Sequence, residues 1–323
     1  MNPELTPAQL EDEPPEIPAP YPIPHLQVRQ EGADTPLLGW IGFGTMGSAM
    51  SGRLLDAGMN LVGYNRSPEK IPVHPKMIIA HTPEDVAKDA RILFLMLTDG
   101  QATESVLSGP TGVLSRLFPG TIVVNMSTIA PKQAENEARM VTDAGGKYLD
   151  IPVSGSLVPA QKGQLLLLAG GSEEDLSVLS PILAILGKET LHLGKIGAGM
   201  TGKLIINALL AAQMEALAQT VVLGEDLGFS REKVLDLVFK SPLSCAFYQL
   251  KKDNLTNRDY PKAFSVALME KDLALAQNEC SERTISSRFA TELRAPFKEA
   301  REQGLGDLDL SAVFEVFRSR RPS

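Results

Sequence analysis

The chain has 323 residues, of which 43% are apolar, and its formal net charge is −8, so two domains with sizeable cores are possible. With only Cys245 and Cys280 and four histidines without metal-ligand spacing, it has no disulfide framework and no predicted metal site. Without a signal peptide, a membrane-length apolar run or a dense basic stretch, we expect a cytoplasmic protein that binds neither membranes nor nucleic acid.

The negative charge is concentrated at the start of the chain. Residues 1–34 hold seven acidic residues and one arginine, whereas the remainder holds 30 basic and 32 acidic residues. The same segment is rich in proline and shows no hydrophobic periodicity, which is typical of segments that cannot form a core. We therefore predict a disordered or extended tail over residues 1–34.

The folded part opens with a glycine motif. An apolar run from Leu37 to Ile41 leads into Gly42-x-Gly44-x-x-Gly47, and a helical pattern follows through Leu55. In a dinucleotide site the first glycine permits a tight turn, the second admits the pyrophosphate, and the third lets the helix pack closely. The helix N-terminus then supplies free N–H groups. We interpret the segment as a dinucleotide site; a purely structural glycine turn is the alternative.

The next strand indicates which dinucleotide binds. It covers Asn60–Tyr64 and ends in Asn65-Arg66-Ser67. Proteins that bind NAD usually place an acidic residue about 20 residues after the glycines, to accept from the ribose 2′-hydroxyl. An arginine can instead bind a 2′-phosphate through two hydrogen bonds. The pattern therefore favours NADP(H), with an ordinary solvated turn residue as the alternative for Arg66.

Strands and helices continue to alternate along the first half of the chain. Thr82 and Pro83 are typical of an N-cap and a first helical position. This alternation predicts an α/β protein with a Rossmann-type, doubly wound parallel sheet, which binds its ligand at the carboxyl ends of the strands. The further predicted strands are Met77–Ala80, Arg91–Leu97, Thr121–Met126, Lys147–Ile151 and Gln164–Ala169.

The pattern changes after residue 196. Gly197-Ala198-Gly199 precedes a long apolar segment, Met200–Leu227, which predicts a helix of about 40 Å. Everything beyond it reads as helical. We predict an NADP-binding domain over residues 35–196 and an all-α substrate and oligomerisation domain over 197–323, joined by this interdomain helix. A helix that is apolar all round is buried, so we expect it to contact another subunit in a homodimer or homotetramer.

Polar residues on the predicted helices are candidates for chemistry. Lys203 and Asn207 lie four residues apart and share one face of the long helix. Burying a lysine among apolar neighbours is costly unless it is paired or functional; the alternative is a side chain that reaches solvent. Lys271 and Asp272 stand together in another apolar helix, where a surface ion pair is the more common explanation.

Taken together, the motifs resemble the β-hydroxyacid dehydrogenase family, of the 3-hydroxyisobutyrate dehydrogenase type, over residues 37–318. The resemblance implies that Lys203 is the catalytic residue and that Asn207 assists it. The motifs that carry it are Gly42-Phe-Gly-Thr-Met-Gly47, Met96-Leu-Thr-Asp99, Met126-Ser-Thr128, Pro152-Val-Ser-Gly-Ser156, Gly197-Ala-Gly-x-x-x-Lys203-x-x-x-Asn207 and Lys271-Asp272.

The resemblance, together with the end of the second strand, also implies the binding residues. The cofactor residues are Gly42, Phe43, Gly44, Thr45, Met46, Gly47, Asn65, Arg66, Ser67, Met96, Leu97, Thr98, Thr128 and Lys271. The substrate residues are Ser127, Ser154, Gly155, Ser156, Phe264 and Asp272.

Two stretches indicate a branch of the family. Ser154-Gly155-Ser156 and the segment 305–313 are similar to glyoxylate and succinic semialdehyde reductases, which implies NADPH-dependent reduction of glyoxylate to glycolate or of succinic semialdehyde to 4-hydroxybutyrate. The alternatives are a 3-hydroxy acid dehydrogenase of the 3-hydroxyisobutyrate or tartronate semialdehyde type, an imine reductase, and a non-catalytic cofactor-binding scaffold. The presence of Lys203 argues against the last two, and only the acidic tail favours a scaffold.

Overall fold

The computed structural model of this chain describes residues 37–283 and 288–320; the tail predicted over 1–34 lies outside these ranges. Strands and helices alternate through the first half. The strands are β1 (Leu37–Ile41), β2 (Asn60–Tyr64), β3 (Met77–Ile79), β4 (Ile92–Leu95), β5 (Ile122–Asn125), β6 (Lys147–Asp150), β7 (Val153–Ser154), β8 (Leu165–Gly170) and β9 (Gly187–Gly194). The helices are α1 (Thr45–Asp56), α2 (Pro83–Asp89), α3 (Gly100–Ser108), α4 (Pro131–Asp143), α5 (Leu157–Gln161) and α6 (Glu173–Leu186).

The first six strands form a parallel sheet in the order β3-β2-β1-β4-β5-β6. Every residue of β4 is buried, and successive side chains enter opposite cores: Ile92 and Phe94 lie in one, Leu93 and Leu95 in the other. A strand covered on both faces needs a continuous apolar run, which is what the sequence shows here. The predicted Rossmann-type α/β fold is confirmed.

The far edge of the sheet differs from the prediction. Strand β8 is antiparallel to β6 and β7, and β9 then pairs with β8 in parallel. Neither β7 nor β9 was predicted, and β8 was expected to continue the parallel order. Strand β9 contains Lys188 and Glu189 and is partly exposed along its length, so it carries no apolar run that sequence periodicity could reveal. Its pairing with β8 depends on the tertiary structure.

The N-terminus of α2 was predicted correctly. The Thr82 side chain accepts from the Asp85 N–H group at 3.3 Å, and the Asp85 carboxylate accepts from the Thr82 N–H group at 3.1 Å. This reciprocal pair satisfies two N–H groups that the helix leaves without partners. Pro83 occupies the first turn, so the local sequence alone was sufficient to place this boundary.

After Gly194 the described chain is helical. A third core gathers residues from these helices, including Ala211, Met214 and Phe314. A short π-helical turn (Arg301–Leu305) and a 3-10 turn (Leu310–Ala312) connect the last helices. The helices are α7 (Ala198–Asp226), α8 (Arg231–Lys240), α9 (Ala246–Asn257), α10 (Val266–Glu282), α11 (Arg288–Ala300) and α12 (Val313–Ser319). The predicted all-helical second half is confirmed.

Within one chain the long helix α7 is buried on one side only, so the subunit contact that we expect of it stays a prediction. One face packs against β8, α10 and α12, whereas Ile205, Leu209 and Leu223 on the other face are 65%, 53% and 58% exposed. By length and hydropathy α7 could also span a membrane, although no apolar run of that length was expected. The protein contacts of its buried face are those of a core helix, and a 29-residue helix is too long for one small bundle to enclose.

Candidate active site

The glycine turn has the form that a dinucleotide requires. Gly42 adopts φ +102°, and a Cβ atom on it would collide with the Met96 carbonyl. A Cβ on Gly47 would collide with the Gly42 carbonyl, whereas the corresponding space at Gly44 is open. Helix α1 begins at Thr45, and no side chain caps its first N–H groups. An open, uncapped helix N-terminus fits a pyrophosphate.

The end of β2 supports this turn from the side. Asn65 Oδ1 accepts from the Phe43 N–H group at 2.9 Å, and Asn65 Nδ2 donates to the Ser67 carbonyl at 2.8 Å. The Phe43 ring is buried against Gly63. The side chains of Asn65 and Phe43 therefore both hold the glycine turn in place. Arg66 is exposed. Among the described residues none forms an ion pair with it, so its guanidinium is free to bind an anion.

The ends of β4 and β5 are joined through Ser127. This residue is fully buried. Its Oγ accepts from the Leu97 N–H group at 2.9 Å, and its own N–H group donates to Asn125 Oδ1 at 2.9 Å. Since the Ser127 hydroxyl lies inside the domain, with the Leu95 carbonyl 3.5 Å away as its acceptor, the predicted contact with substrate stays a prediction. Met96 and Leu97 are half-buried, and Thr98 is exposed.

Lys271 reaches these two loops from the helical domain. Its Nζ donates to the Thr128 carbonyl at 2.7 Å and to the Thr98 carbonyl at 3.1 Å. It also lies 3.0 Å from Asp272 Oδ1, and the Asp272 side chain is only 2% exposed. A surface ion pair therefore does not describe Lys271 and Asp272. They lie at the boundary between the two domains, beside the carboxyl ends of β4 and β5.

The same carboxylate joins α10 to α7. Asn207 Nδ2 donates to Asp272 Oδ2 at 2.6 Å, and Lys203 lies one turn before Asn207 on α7. Burial lowers the pKa of Lys203; the negative charge of Asp272 opposes this, and the positive charge of Lys271 adds to it. The structure thus brings together the amines of Lys203 and Lys271, the amide of Asn207 and the buried carboxylate of Asp272. A lysine whose pKa is lowered is a better proton donor near neutral pH.

The remaining predicted residues lie on two further segments. Ser154 ends β7, Gly155 adopts φ +140°, and Ser156 precedes α5. Phe264 lies two residues before α10, and its N–H group donates to Asp309 Oδ2 at 3.3 Å. Among the described residues, no hydrogen bond joins any of these four to Lys203 or Asn207. Their contact with substrate stays a prediction.

Comparison with known proteins settles the family. Residues 37–197 match the NAD binding domain of 6-phosphogluconate dehydrogenase, and residues 197–317 match the NAD-binding domain of NADP-dependent 3-hydroxyisobutyrate dehydrogenase. Glyoxylate/succinic semialdehyde reductase 1 of Arabidopsis thaliana is 33% identical over 88% of this chain and 99% of its own length. The chain belongs to the 3-hydroxyisobutyrate dehydrogenase family.

Other similar proteins agree with this family. The 2-(hydroxymethyl)glutarate dehydrogenase of Eubacterium barkeri is 31% identical over 87% of this chain and 94% of its own length. The solved structure of the Mycobacterium tuberculosis 3-hydroxyisobutyrate dehydrogenase with L-serine superposes with a TM-score of 0.77 at 27% identity, over 88% of this chain and 99% of that one. The chain is therefore an NAD(P)-dependent hydroxyacid dehydrogenase, as the sequence motifs predicted.

One residue of the dehydrogenase's site was missed by the sequence analysis. Asp150 ends β6 and is fully buried. Its Oδ1 accepts from the Gly197 N–H group at 2.8 Å, and its Oδ2 accepts from the Met200 N–H group at 2.9 Å. The carboxylate therefore caps the first turn of α7, the helix that carries Lys203. No local signal links Asp150 to a partner 47 residues away.

The Asp150 carboxyl should make stability depend on pH. Burial raises its pKa from 3.8 to about 6, although the Gly197 and Met200 N–H groups oppose the rise. Since the folded chain holds this proton more tightly than the unfolded chain, the group's stabilisation is present below the unfolded pKa and is lost as pH rises through about 6. Relative to Asp150→Asn, the wild-type free energy of unfolding should fall by about 2 kcal/mol between about pH 4 and about pH 7. Urea titrations of both proteins measure this difference, and a difference independent of pH would contradict the assignment.

Proposed function

We propose that this dehydrogenase reduces a short aldehyde carboxylic acid with NADPH, and that glyoxylate and succinic semialdehyde are its candidate substrates. The observation that carries the proposal is the cluster of Lys203, Asn207, Lys271 and Asp272 beside the carboxyl ends of β4 and β5. It supplies a proton donor and positive charge for an anionic substrate. The similarity to an Arabidopsis thaliana protein named as a reductase of these two aldehydes supports the substrate class.

The cofactor part of the proposal rests on two features. The uncapped N–H groups at Thr45 and Met46, next to the open space at Gly44, fit the pyrophosphate. The exposed guanidinium of Arg66 fits a 2′-phosphate, which distinguishes NADPH from NADH. A bound nicotinamide would supply the hydride, while the protein orients and polarises the carbonyl group.

The protein's own part in the reaction is proton donation. As negative charge develops on the carbonyl oxygen, the Lys203 ammonium stabilises it and transfers a proton from Nζ to that oxygen. The hydrogen bond from Asn207 to Asp272, at 2.6 Å, holds α7 in one orientation about its axis. Lys203 lies on the same face of this helix as Asn207. Ser154 and the Gly155 N–H group would donate to the substrate carboxylate. Lys203 is left neutral and regains its proton from solvent.

A direct assay tests the proposal. NADPH consumption is followed by its absorbance with glyoxylate and with succinic semialdehyde, and NADH is run in parallel. We expect turnover of at least one aldehyde, much faster with NADPH than with NADH. Oxidation of a 3-hydroxy acid without aldehyde reduction would instead favour the alternative dehydrogenase, which the match of residues 197–317 supports. NADPH binding without turnover in either direction would indicate a scaffold.

We also propose that the protein assembles as a homodimer or homotetramer through the exposed side of α7. Ile205, Leu209, Ala216 and Leu223 recur at helical spacing and form one exposed stripe, which we call the α7 stripe. It lies on the side of the helix opposite Asn207, so a second subunit can cover it without closing the site. Exposed apolar stripes of this kind mark protein interfaces more often than free surface.

Replacing Leu209 with aspartate should dissociate this assembly. A charge in the centre of an apolar interface loses its hydration without gaining a partner, so we expect Leu209→Asp to elute as a monomer at concentrations where the wild type is oligomeric. Size-exclusion chromatography with light scattering measures the mass. Val73→Asp is the matched control, because Val73 is fully exposed outside the stripe. A monomeric wild type would refute the proposal.

A further inference from the structure

A buried carboxylate lies beneath the loops that follow β4 and β5. Glu137 on α4 is 1% exposed. Its Oε1 accepts from Thr103 Oγ1 at 2.6 Å and from Gln133 Nε2 at 3.0 Å. Its Oε2 accepts from Asn125 Nδ2 and from the Tyr148 hydroxyl, both at 2.9 Å. Within residues 37–283 and 288–320 no cation pairs with it.

Burying a carboxylate without a cation beside it costs free energy of folding. Burial raises the pKa of Glu137, and the four donors oppose that rise. An apolar side chain of similar size at this position would avoid the desolvation penalty altogether. Because each donor comes from a different part of the domain, the carboxylate fixes the relative positions of several elements at once. Two of those elements lead directly to the site.

The first connection runs through β5. Asn125 donates to Glu137 with its Nδ2, and its Oδ1 accepts from the Ser127 N–H group at 2.9 Å. Ser127 Oγ in turn accepts from the Leu97 N–H group at 2.9 Å. Glu137 therefore sets the orientation of the Asn125 amide. That amide holds the loop after β5, and Ser127 holds the loop after β4.

The second connection runs through the start of α3. Thr103 Oγ1 and Gln133 Nε2, both of which donate to Glu137, also lie 2.9 Å and 2.6 Å from the Gly100 carbonyl. Gly100 begins α3 and comes directly after the Thr98-Asp99 loop. The loop after β4 is thus anchored at both ends to the same carboxylate.

These two loops are the ones that Lys271 contacts from the helical domain. Its Nζ donates to the carbonyls of Thr98 and Thr128, one in each loop. We call residues 96–99, after β4, and residues 126–128, after β5, the two cleft loops. Glu137 holds them from inside the Rossmann domain, and Lys271 holds them from the other side. The positions of the Thr98 and Thr128 carbonyls therefore depend on contacts from both domains.

We propose that Glu137 is a positioning residue for NADPH, which acts through Asn125 and Thr103 to hold both cleft loops in their cofactor-binding positions. The inference rests on the proposed function, because Met96, Leu97, Thr98 and Thr128 are the residues predicted to contact NADPH. Glu137 itself lies in the domain interior and touches neither cofactor nor substrate. Its effect should therefore appear in cofactor affinity.

The test compares NADPH binding and turnover in Glu137→Gln and the wild type. The amide keeps the volume of the side chain, but it turns one acceptor into a donor that faces two donors. We expect the Kd for NADPH, titrated by its fluorescence without aldehyde, to rise about tenfold or more. The kcat at saturating NADPH and aldehyde should stay within about twofold, since Lys203 and Asn207 are not displaced.

Three further variants separate positioning from general stability. Val141→Ala shortens a fully buried side chain one turn after Glu137 on α4 and leaves the four hydrogen bonds of the carboxylate in place, so it should lower Tm and leave Kd unchanged. Thr103→Val removes one of the two donors of the α3 connection and leaves the Gln133–Gly100 bond and the β5 connection in place, so it should raise Kd by a smaller factor. This variant keeps the proposal testable if Glu137→Gln does not fold. Glu104→Gln, exposed on the same helix as Thr103, is the control for lost surface charge and should change neither quantity.

The outcomes distinguish this inference from the proposed function. A wild type that does not bind NADPH overturns both. A wild type that binds NADPH, with unchanged Kd in Glu137→Gln and Thr103→Val, overturns the positioning role alone. An equal rise in Kd for Val141→Ala also overturns it, because that result would show a general effect of stability. A raised Kd in Glu137→Gln and Thr103→Val, with an unchanged Kd in Val141→Ala, supports it.

Discussion

Lys203→Ala is expected to lower kcat for aldehyde reduction by about a thousandfold while leaving the Kd for NADPH unchanged. The physical reason is that the variant loses both the proton donor and the positive charge that stabilises the developing oxyanion. Lys203 lies on α7, whereas the predicted pyrophosphate and 2′-phosphate contacts lie at the start of α1 and after β2, so cofactor binding should survive. Stopped-flow turnover with saturating NADPH, together with a fluorescence titration, measures the two quantities separately.

The pH profile provides a second check on Lys203. Burial lowers its pKa below 10.5, and reduction needs the ammonium form. The kcat/KM for reduction should therefore fall as pH rises through this lowered pKa, and the rate of the reverse oxidation should rise. Lys203→Arg keeps the charge but cannot readily release a proton, so it should lose this pH dependence. A Lys203→Ala enzyme with near-normal kcat would refute the assignment.

Arg66→Glu is expected to raise the KM for NADPH by roughly a hundredfold and to leave the KM for NADH unchanged or lower. The carboxylate would repel the 2′-phosphate that the guanidinium is proposed to bind, and it could accept from the 2′-hydroxyl of NADH instead. Arg66 is exposed at the end of β2, so its replacement should not disturb the core. Steady-state kinetics with both cofactors measures the ratio.

A matched charge change controls this experiment. Lys70→Glu alters the net charge by the same amount and lies four residues away on an exposed 3-10 turn, but it is not predicted to contact the cofactor. We expect it to leave the NADPH-to-NADH ratio within about threefold of the wild type. If Arg66→Glu weakened the binding of NADPH and NADH equally, the loss of affinity would come from the general electrostatic field. The assignment of Arg66 to the 2′-phosphate would then be wrong.

The features that could be predicted from the sequence are those with local causes. The turn from Gly42 to Gly47, the apolar run of β4 and the N-cap Thr82 followed by Pro83 each depend on residues within a few positions of one another. The spacing of Lys203 and Asn207 placed both on one helical face for the same reason. Short-range sterics and periodicity therefore determine the first βαβ unit, the buried strand β4 and the long helix.

The placement of several polar side chains could not be predicted in this way. Ser127 has the spacing of a substrate residue, yet its hydroxyl is engaged with the Leu97 amide inside the domain. Glu137 has the sequence environment of a solvated helix residue, between Asn136 and Ala138. In the structure it is buried, and its carboxylate accepts four hydrogen bonds. The direction of a side chain on a helix depends on which face the rest of the fold covers.

By itself, the sequence determined the family, the order of the main elements and the helical face that Lys203 and Asn207 share, because the motifs are short and their spacing is periodic. The tertiary structure alone decided three further features. They are the antiparallel pairing of β8 with β6, the capping of α7 by Asp150, and the hydrogen bonds from Lys271 to the Thr98 and Thr128 carbonyls. Each joins residues far apart in the chain, and hydrogen bonds of this kind depend on where packing brings donor and acceptor together.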